Sequence, residues 1–107
     1  MVTKNKIFGY LGLCMKAGKL AFGTEAVIES LEKRKAKMVL MASDCSERTQ
    51  KKFQEITEQY QIPLFTIGTI EEISNAIGKD NKSVVSIKDS NIAKEIERII
   101  NGGDTIG

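Results

Sequence analysis

The sequence predicts an α/β fold, a three-layer α/β/α sandwich with a four-stranded mixed sheet. Two observations support this prediction. Short extended apolar segments alternate with segments whose apolar residues recur at helical spacing, and a turn or capping residue stands at nearly every join. The segment from Met38 to Ala42 is apolar without interruption, which is typical of a central strand covered by helices on both faces.

The first half of the chain is predicted to form two helices and two strands. Apolar residues from Ile7 to Met15 recur at helical spacing until Gly18, a residue suited to the left-handed turn that ends a helix. A short strand covers Leu20 to Phe22, and Gly23-Thr24 then begins a second helix. The central strand, Met38 to Ala42, follows.

The second half is predicted to alternate three helices with two strands. Polar residues at 43–46 can cap the third helix, Thr69 and Glu72 fit a capping box for the fourth, and Asp89 can cap the fifth. Strands are predicted over 64–67 and 83–87. We therefore expect a single domain over residues 1–101 and a flexible tail over 102–107.

Composition limits the cellular compartment and the kinds of catalytic or metal site that we expect for this chain. No segment approaches the ~18 apolar residues of a membrane span, and no signal peptide is evident, so we expect a cytoplasmic protein without membrane association and with free thiols at Cys14 and Cys45. The chain has no histidine, which excludes Ser-His-Asp and Cys-His catalytic devices. We expect no metal site, no cofactor and no enzymatic activity, and a monomer.

The charge is unevenly distributed along the chain. The net charge of +2 divides into +6 over residues 1–54 and −4 over residues 55–107. The densest basic run comprises Lys33, Arg34, Lys35 and Lys37, and such a run can attract phosphate. It is also what a solvated helix end contains, because cations are favoured near the negative end of a helix.

Two glycine-led loops are candidate binding elements. Gly23 stands at a predicted helix start, where unpaired N–H groups can receive a phosphate or a base edge. The loop from Gly78 to Lys82 carries polar groups that can hydrogen-bond a nucleotide, although Gly, Asp and Asn are also ordinary turn residues. Cys45 lies at another predicted helix start, but without histidine or a resolving cysteine we expect an inert thiol.

Several segments together resemble the kink-turn RNA-binding ribosomal-protein superfamily, which includes archaeal large-subunit protein seven-Ae and protein thirty-e. The matching segments are Gly12 to Val27, Lys35 to Asp44, Thr49 to Lys52, Ile73 to Gly78, and Val84-Val85. The resemblance covers about residues 9–100 and is greatest to the small bacterial branch, the YlxQ-like proteins. It implies the same α/β/α sandwich and recognition of structured RNA, with ribosomal RNA as one candidate, rather than catalysis.

The resemblance also implies which residues contact RNA. In relatives, the start of the second helix reads sheared G·A pairs of a sharply bent duplex, and the loop before the last strand holds a flipped nucleotide. The corresponding residues of this chain are Gly23, Thr24, Glu25, Ala26 and Glu29 for the helix, and Gly78, Lys79, Asp80 and Asn81 for the loop. The phosphate contacts are assigned to Lys16, Lys19, Lys35, Lys37 and Lys79.

Departures from the family pattern fall at these contact positions. Strong RNA binders of the family usually carry Asn or Lys where Glu25 stands, Glu or Gln where Ala26 stands, and Lys where Glu29 stands. The loop positions 79–81 are mostly apolar in those proteins. We therefore expect RNA binding of the family type with an altered target or weaker affinity. Two alternatives are a protein-interaction module with a decayed RNA surface and a small enzyme built around Cys45 or the pair Lys79-Asp80.

Overall fold

A computed structural model describes residues 2–102, with side chains from residue 4 onward. Within this part of the chain five helices alternate with four strands, in the predicted order. The elements are α1 (Val2–Lys16), β1 (Leu20–Phe22), α2 (Thr24–Glu32), β2 (Met38–Met41), α3 (Glu47–Tyr60), β3 (Leu64–Thr66), α4 (Ile70–Ile77), β4 (Val84–Ile87) and α5 (Ser90–Ile100). Strand ends differ from the predicted ones by one residue at most, and the predicted tail beyond Gly102 lies outside the described residues.

The strands form one mixed sheet in the order β1-β4-β2-β3. β4 is antiparallel to both of its neighbours, and β2 is parallel to β3. Val84, at the start of β4, pairs with Met41, at the end of β2, whereas Ile87 pairs with Met38. The end of β2, the end of β1 and the start of β4 therefore lie at the same end of the sheet.

Helices cover both faces of this sheet, so the predicted α/β/α sandwich is confirmed. Met38 and Leu40 pack in one buried cluster with residues of α1, α4 and α5, whereas Val39 and Met41 pack in a second cluster with residues of α2 and α3. All four side chains of β2 are buried. Burial on both faces explains why this strand shows no polar alternation in the sequence.

Predicted capping residues begin three of the helices. Ser46 accepts from the Thr49 N–H at the start of α3, and Asp89 accepts from the Ile92 N–H at the start of α5. Thr69 and Glu72 form the predicted capping box of α4. These caps satisfy N–H groups that have no partner within the helix. Among the described helices, none is long and apolar enough to cross a membrane.

Candidate functional site

The start of α2 is shaped by Gly23. This residue has φ 89° and ψ 157°, a region of backbone conformation that is essentially restricted to glycine. Its N–H donates to the Val84 carbonyl (3.0 Å), and its carbonyl accepts from the Val27 N–H (3.0 Å). No side-chain hydrogen bond caps α2. The first N–H groups of α2 are therefore available to an external acceptor, because an α-helix does not satisfy them internally.

The loop between α4 and β4 lies beside this helix start. Gly78 ends α4 in the left-handed conformation, and Asn81 also has a positive φ of 51°. The buried Ser74 hydroxyl accepts from the Lys82 N–H (2.8 Å) and so anchors the loop to α4. The Nζ atoms of Lys79 and Lys82 lie 5.2 and 5.8 Å from the centroid of the Phe22 ring. Both lysines are thereby held next to the residue that precedes Gly23.

The two glycine-led loops line common surface depressions. An open groove of about 590 Å³ is lined by Phe22, Gly23, Thr24, Glu25, Ala26, Glu29 and Lys82. An adjoining depression of about 310 Å³ contains Gly23, Thr24, Asn81 and Lys82, together with residues at the starts of α3 and α4. The structure therefore brings all five predicted helix residues together with Asn81, whereas Lys79 lines neither depression and lies beside them over the Phe22 ring. Gly78 and Asp80 are exposed on the same loop but do not line either depression.

Four of the predicted phosphate-binding lysines lie elsewhere. Lys19 and Gly23 flank the two ends of β1, and Lys37 immediately precedes β2, at the end of the sheet opposite to Gly23. Lys35 lies in the connection between α2 and β2, and Lys16 is the last residue of α1. The directions of the elements account for this separation. β1 runs from the Lys19 end of the sheet to the Gly23 end, and α2 then runs back to the Lys19 end.

Lys82 is a candidate site residue that the sequence analysis placed in the loop without assigning it to the site. Its side chain lines both depressions, and its Cδ and Nζ atoms lie 3.9 Å from where a Cβ on Gly23 would be. No local sequence pattern distinguishes Lys82 from Lys79. Its position depends on the hydrogen bond from its N–H to Ser74, which is a contact between two elements.

Acidic side chains remain in the groove. Glu25 and Glu29 are both exposed, and Glu29 forms an ion pair with Lys33 (3.2 Å). Glu25 lies in the first turn of α2, where a carboxylate interacts favourably with the positive end of the helix. The groove thus combines backbone donors and Lys82 with two carboxylates. A polyanion would meet both attraction and repulsion there.

The position of α2 on the sheet is fixed by a buried pair of hydroxyl groups. The Ser30 hydroxyl donates to the Val27 carbonyl (2.6 Å) and lies 2.8 Å from the Ser86 hydroxyl of β4. Both serines are buried. Because an unpaired buried hydroxyl is costly, this contact favours a single placement of α2 over β4.

The two cysteines lack the environment of reactive thiols. Both are free and buried. Burial raises the pKa of Cys14 to about 11, with a smaller contribution from Asp89. Burial also raises the pKa of Cys45, and Asp44 adds to this effect. Since the thiolate is the nucleophile, neither cysteine is activated at neutral pH. Among the described residues, no three His, Cys, Asp or Glu side chains are grouped so that they could hold a metal ion.

Comparison with known proteins identifies the family. Residues 5–97 match the model of the family described as "Ribosomal protein L7Ae/L30e/S12e/Gadd45 family". The chain belongs to this family. The resemblance inferred from the sequence segments is therefore confirmed.

Two relatives within the L7Ae/L30e/S12e/Gadd45 family agree with the bacterial branch. The chain is 38% identical over 100 residues to RNA-binding protein YlxQ of Enterococcus faecium, a match that covers 94% of this chain and 96% of the relative. It is 30% identical over 89 residues to RNA-binding protein YlxQ of Bacillus subtilis, covering 83% and 89%. Neither the family description nor these names refer to a catalytic activity.

Solved structures share the fold of this family member. A protein of unknown function from Bacillus halodurans superposes with a TM-score of 0.85 at 29% identity, covering 90% of this chain and 97% of that one. The 15.5 kD RNA-binding protein of Giardia lamblia superposes with a TM-score of 0.78, covering 100% of this chain and 92% of that one. At 14% identity, the second comparison supports the fold alone.

Proposed function

We propose that this protein is a nonenzymatic, monomeric and cytoplasmic RNA-binding protein. Its target is structured RNA, either a kink-turn-like element or a segment of ribosomal RNA. The family description refers to ribosomal proteins, and both sequence relatives are named as RNA-binding proteins. The absence of histidine and the protonated, buried thiols are consistent with binding rather than catalysis.

The observation that carries this proposal is the groove at the start of α2. Gly23 leaves the helix without a side-chain cap, so its first N–H groups can donate to phosphate oxygens or to base edges. Thr24 and Ala26 line the same groove and leave room for close approach of a base. Lys82 contributes a cation at its rim, and Lys79 lies beside it. Glu25 can accept from the amino or imino edge of guanine.

The 78–83 loop forms the second half of the proposed interface. Asn81 lines the depression next to Gly23 and Thr24, so a nucleotide flipped out of a bent RNA can contact both elements. Gly78 ends α4 and Asp80 is exposed between Lys79 and Asn81. The polar character of this loop favours hydrogen bonds to the nucleotide over apolar packing.

A binding experiment tests the proposal. A labelled kink-turn RNA is titrated with the protein in moderate salt, beside a fully paired duplex of the same length and composition. We expect tighter binding to the kinked RNA, and we expect the double variant K79A/K82A to weaken that binding by on the order of tenfold, because two charged contacts are lost. The matched control K6A/K94A removes two lysines from α1 and α5, which cover the other face of the sheet from α2. Equal, weak binding to both RNAs would contradict shape recognition.

A second candidate function is a protein-interaction module in which the RNA surface has decayed. The observation that favours it is the pair of exposed carboxylates, Glu25 and Glu29, in the groove. Purification of the protein from its host under nuclease treatment separates the two functions. A protein partner that persists without nucleic acid supports the interaction module, whereas co-purified RNA that is protected from nuclease supports RNA binding.

A further inference from the structure

Five lysines gather at the end of the sheet opposite to Gly23. We call them the far-end lysines: Lys19, Lys33, Lys35, Lys37 and Lys88. Backbone hydrogen bonds hold three of them together, because the Lys88 N–H donates to the Lys19 carbonyl (2.8 Å) and the Lys37 N–H donates to the Ile87 carbonyl (2.7 Å). Lys33 and Lys35 follow the last residue of α2. The cluster therefore combines residues that are distant from one another in the sequence.

Surface depressions extend from the start of α2 to three of these lysines. The groove at the α2 start shares Phe22, Ala26 and Glu29 with another depression. This depression also measures about 310 Å³ but is distinct from the one beside Asn81, and it is lined by Lys33, Lys35 and Lys88 as well. The two depressions therefore adjoin along the flank of α2. From Gly23 to Lys19 the path is four residue steps, about 13 Å at the ~3.3 Å rise of a strand.

The edge strand β1 forms one wall of this path. β1 lies at the edge of the sheet and pairs with β4 alone among the described strands. The backbone of Gly23 hydrogen-bonds to β4, and the backbone of Lys19 hydrogen-bonds to the residue after β4. Because alternate residues of an antiparallel strand face its partner, the N–H groups of Leu20 and Phe22 point away from β4, along the open edge. Backbone N–H groups are ordinary donors to phosphate oxygens, and they carry no sequence preference.

The acidic groups along this path are fewer than the lysines. Glu29 is paired with Lys33. Asp89 accepts from the Ile92 N–H and so caps α5. Glu32 is exposed at the end of α2. The depression near the far-end lysines is thus lined by one carboxylate, Glu29, and three lysines, whereas the groove at the α2 start is lined by two carboxylates and Lys82.

We infer that the far-end lysines form a second phosphate-binding site for the same RNA, reached along the groove beside β1. An RNA whose bent segment occupies the start of α2 extends one arm over this path, and the arm's phosphates pair with the far-end lysines. This inference rests on the proposed function. The far-end lysines then supply most of the net attraction for RNA phosphates, because carboxylates weaken that attraction at the α2 start.

An arm-length series tests this inference. A kinked RNA is made with both arms short enough to end at the α2 start, and each arm is then lengthened in turn by single base pairs. We expect affinity to rise in a step when one of the two arms reaches the far-end lysines. The slope of log K against log salt should then steepen by about 0.9 for each additional phosphate that a lysine neutralises.

Lysine variants locate the second site. K35A/K88A removes two lysines that line the path, and we expect it to lower affinity by on the order of tenfold for the long-arm RNA while leaving the short-arm RNA unchanged. K35R/K88R, which keeps both charges, should retain the long-arm affinity. K6A/K94A removes the same charge from the other face and should lower affinity much less. Melting temperatures close to wild type verify that the variants fold.

The outcomes distinguish this inference from the proposed function. Short-arm binding without any gain on lengthening either arm overturns the second site and leaves the proposed function intact. An equal loss for K35A/K88A on short and long arms also overturns the inference, because the lysines would then act without contacting the arm. Absence of binding to every kinked RNA overturns the proposed function itself.

Discussion

Gly23 combines two requirements that only glycine meets. Its φ of 89° and ψ of 157° lie where other residues are strained, and it leaves the start of α2 without a side chain over the N–H groups. A Cβ at this position would meet no atom closer than the Cδ and Nζ of Lys82, at 3.9 Å. The position is therefore restricted by backbone conformation and not by crowding.

A substitution measures the strain directly. We expect Gly23→Ala to lower the free energy of unfolding by about 1–3 kcal/mol, because alanine is strained at this φ and ψ. Gly9→Ala is the matched control: Gly9 lies within α1, a Cβ there would have open space around it, and the variant should gain about 0.5–1 kcal/mol of stability. Urea unfolding of both variants measures the difference. Equal stability of Gly23→Ala and wild type would contradict the assigned strain.

Single residues also mark the limit of prediction from this sequence. Gly23 is recognisable because glycine before a helical pattern has a defined local role. Lys82 is not, because its place at the rim depends on Ser74, eight residues earlier in the chain. Lys19 is close to Gly23 in the sequence, which favours a shared site, but the structure separates the two by the length of β1.

At the scale of elements, α4 illustrates how side chains define a helix start. The Glu72 carboxylate accepts from the Thr69 N–H (3.0 Å) and pairs with Lys4 of α1 (3.0 Å). The hydrogen-bonded contact with Lys4, followed by the hydrogen bond from the Thr69 backbone, lowers the pKa of Glu72 below its ordinary value of 4.5. Ionised Glu72 therefore stabilises the folded state and links α4 to α1.

This shift predicts a pH dependence. A carboxyl group with a lowered folded-state pKa contributes stability above its unfolded pKa, and that contribution is lost as the pH falls through the folded-state value. We expect wild type to exceed Glu72→Gln in unfolding free energy at neutral pH, and the difference to shrink as the pH falls below about 4.5. Glu71→Gln, which removes an exposed carboxylate from the same turn, is the control. Chemical unfolding across the acid range measures both; a difference independent of pH would contradict the prediction.

The elements themselves are predictable because their signals are local. Helical spacing, the capping box of Thr69 and Glu72, and the uninterrupted strand around Leu40 each depend on neighbours within a few residues. The sheet order β1-β4-β2-β3 is not encoded in this way, since it places the first and last strands side by side. The meeting of the Gly23 turn with the 78–83 loop follows from that pairing, and only the family resemblance predicts it.

At the scale of the whole molecule, charge is arranged along the groove. Glu29 lies between the start of α2 and the far-end lysines. It lines both the groove at the α2 start and the depression near the far-end lysines. It is exposed, and its ion pair with Lys33 contributes little to stability because solvent screens such pairs. The charge of Glu29 therefore acts chiefly on a ligand that enters the groove.

Charge reversal at this position gives a further prediction. We expect Glu29→Lys to bind the kinked RNA more tightly and to steepen the slope of log K against log salt by about 0.9, because the new lysine neutralises one more phosphate. Glu97→Lys makes the same change of charge at an exposed position of α5, on the other face of the sheet. Affinities measured over a series of salt concentrations compare the two. An identical gain for Glu97→Lys would attribute the effect to net charge alone.

The buried hydroxyl pair of Ser30 and Ser86 has a consequence for how an RNA can be received. Sliding α2 along β4 would leave the buried Ser86 hydroxyl without its partner, whereas the Ser30 hydroxyl would keep its bond to Val27 within the helix. A shift of α2 to follow the contour of a bound RNA is therefore unfavourable. The groove at the α2 start therefore tends to keep its shape when a ligand binds. On the proposed function, the RNA bends to fit the groove, and we expect sequences that bend at low energetic cost to be preferred even at nucleotides that the protein never touches.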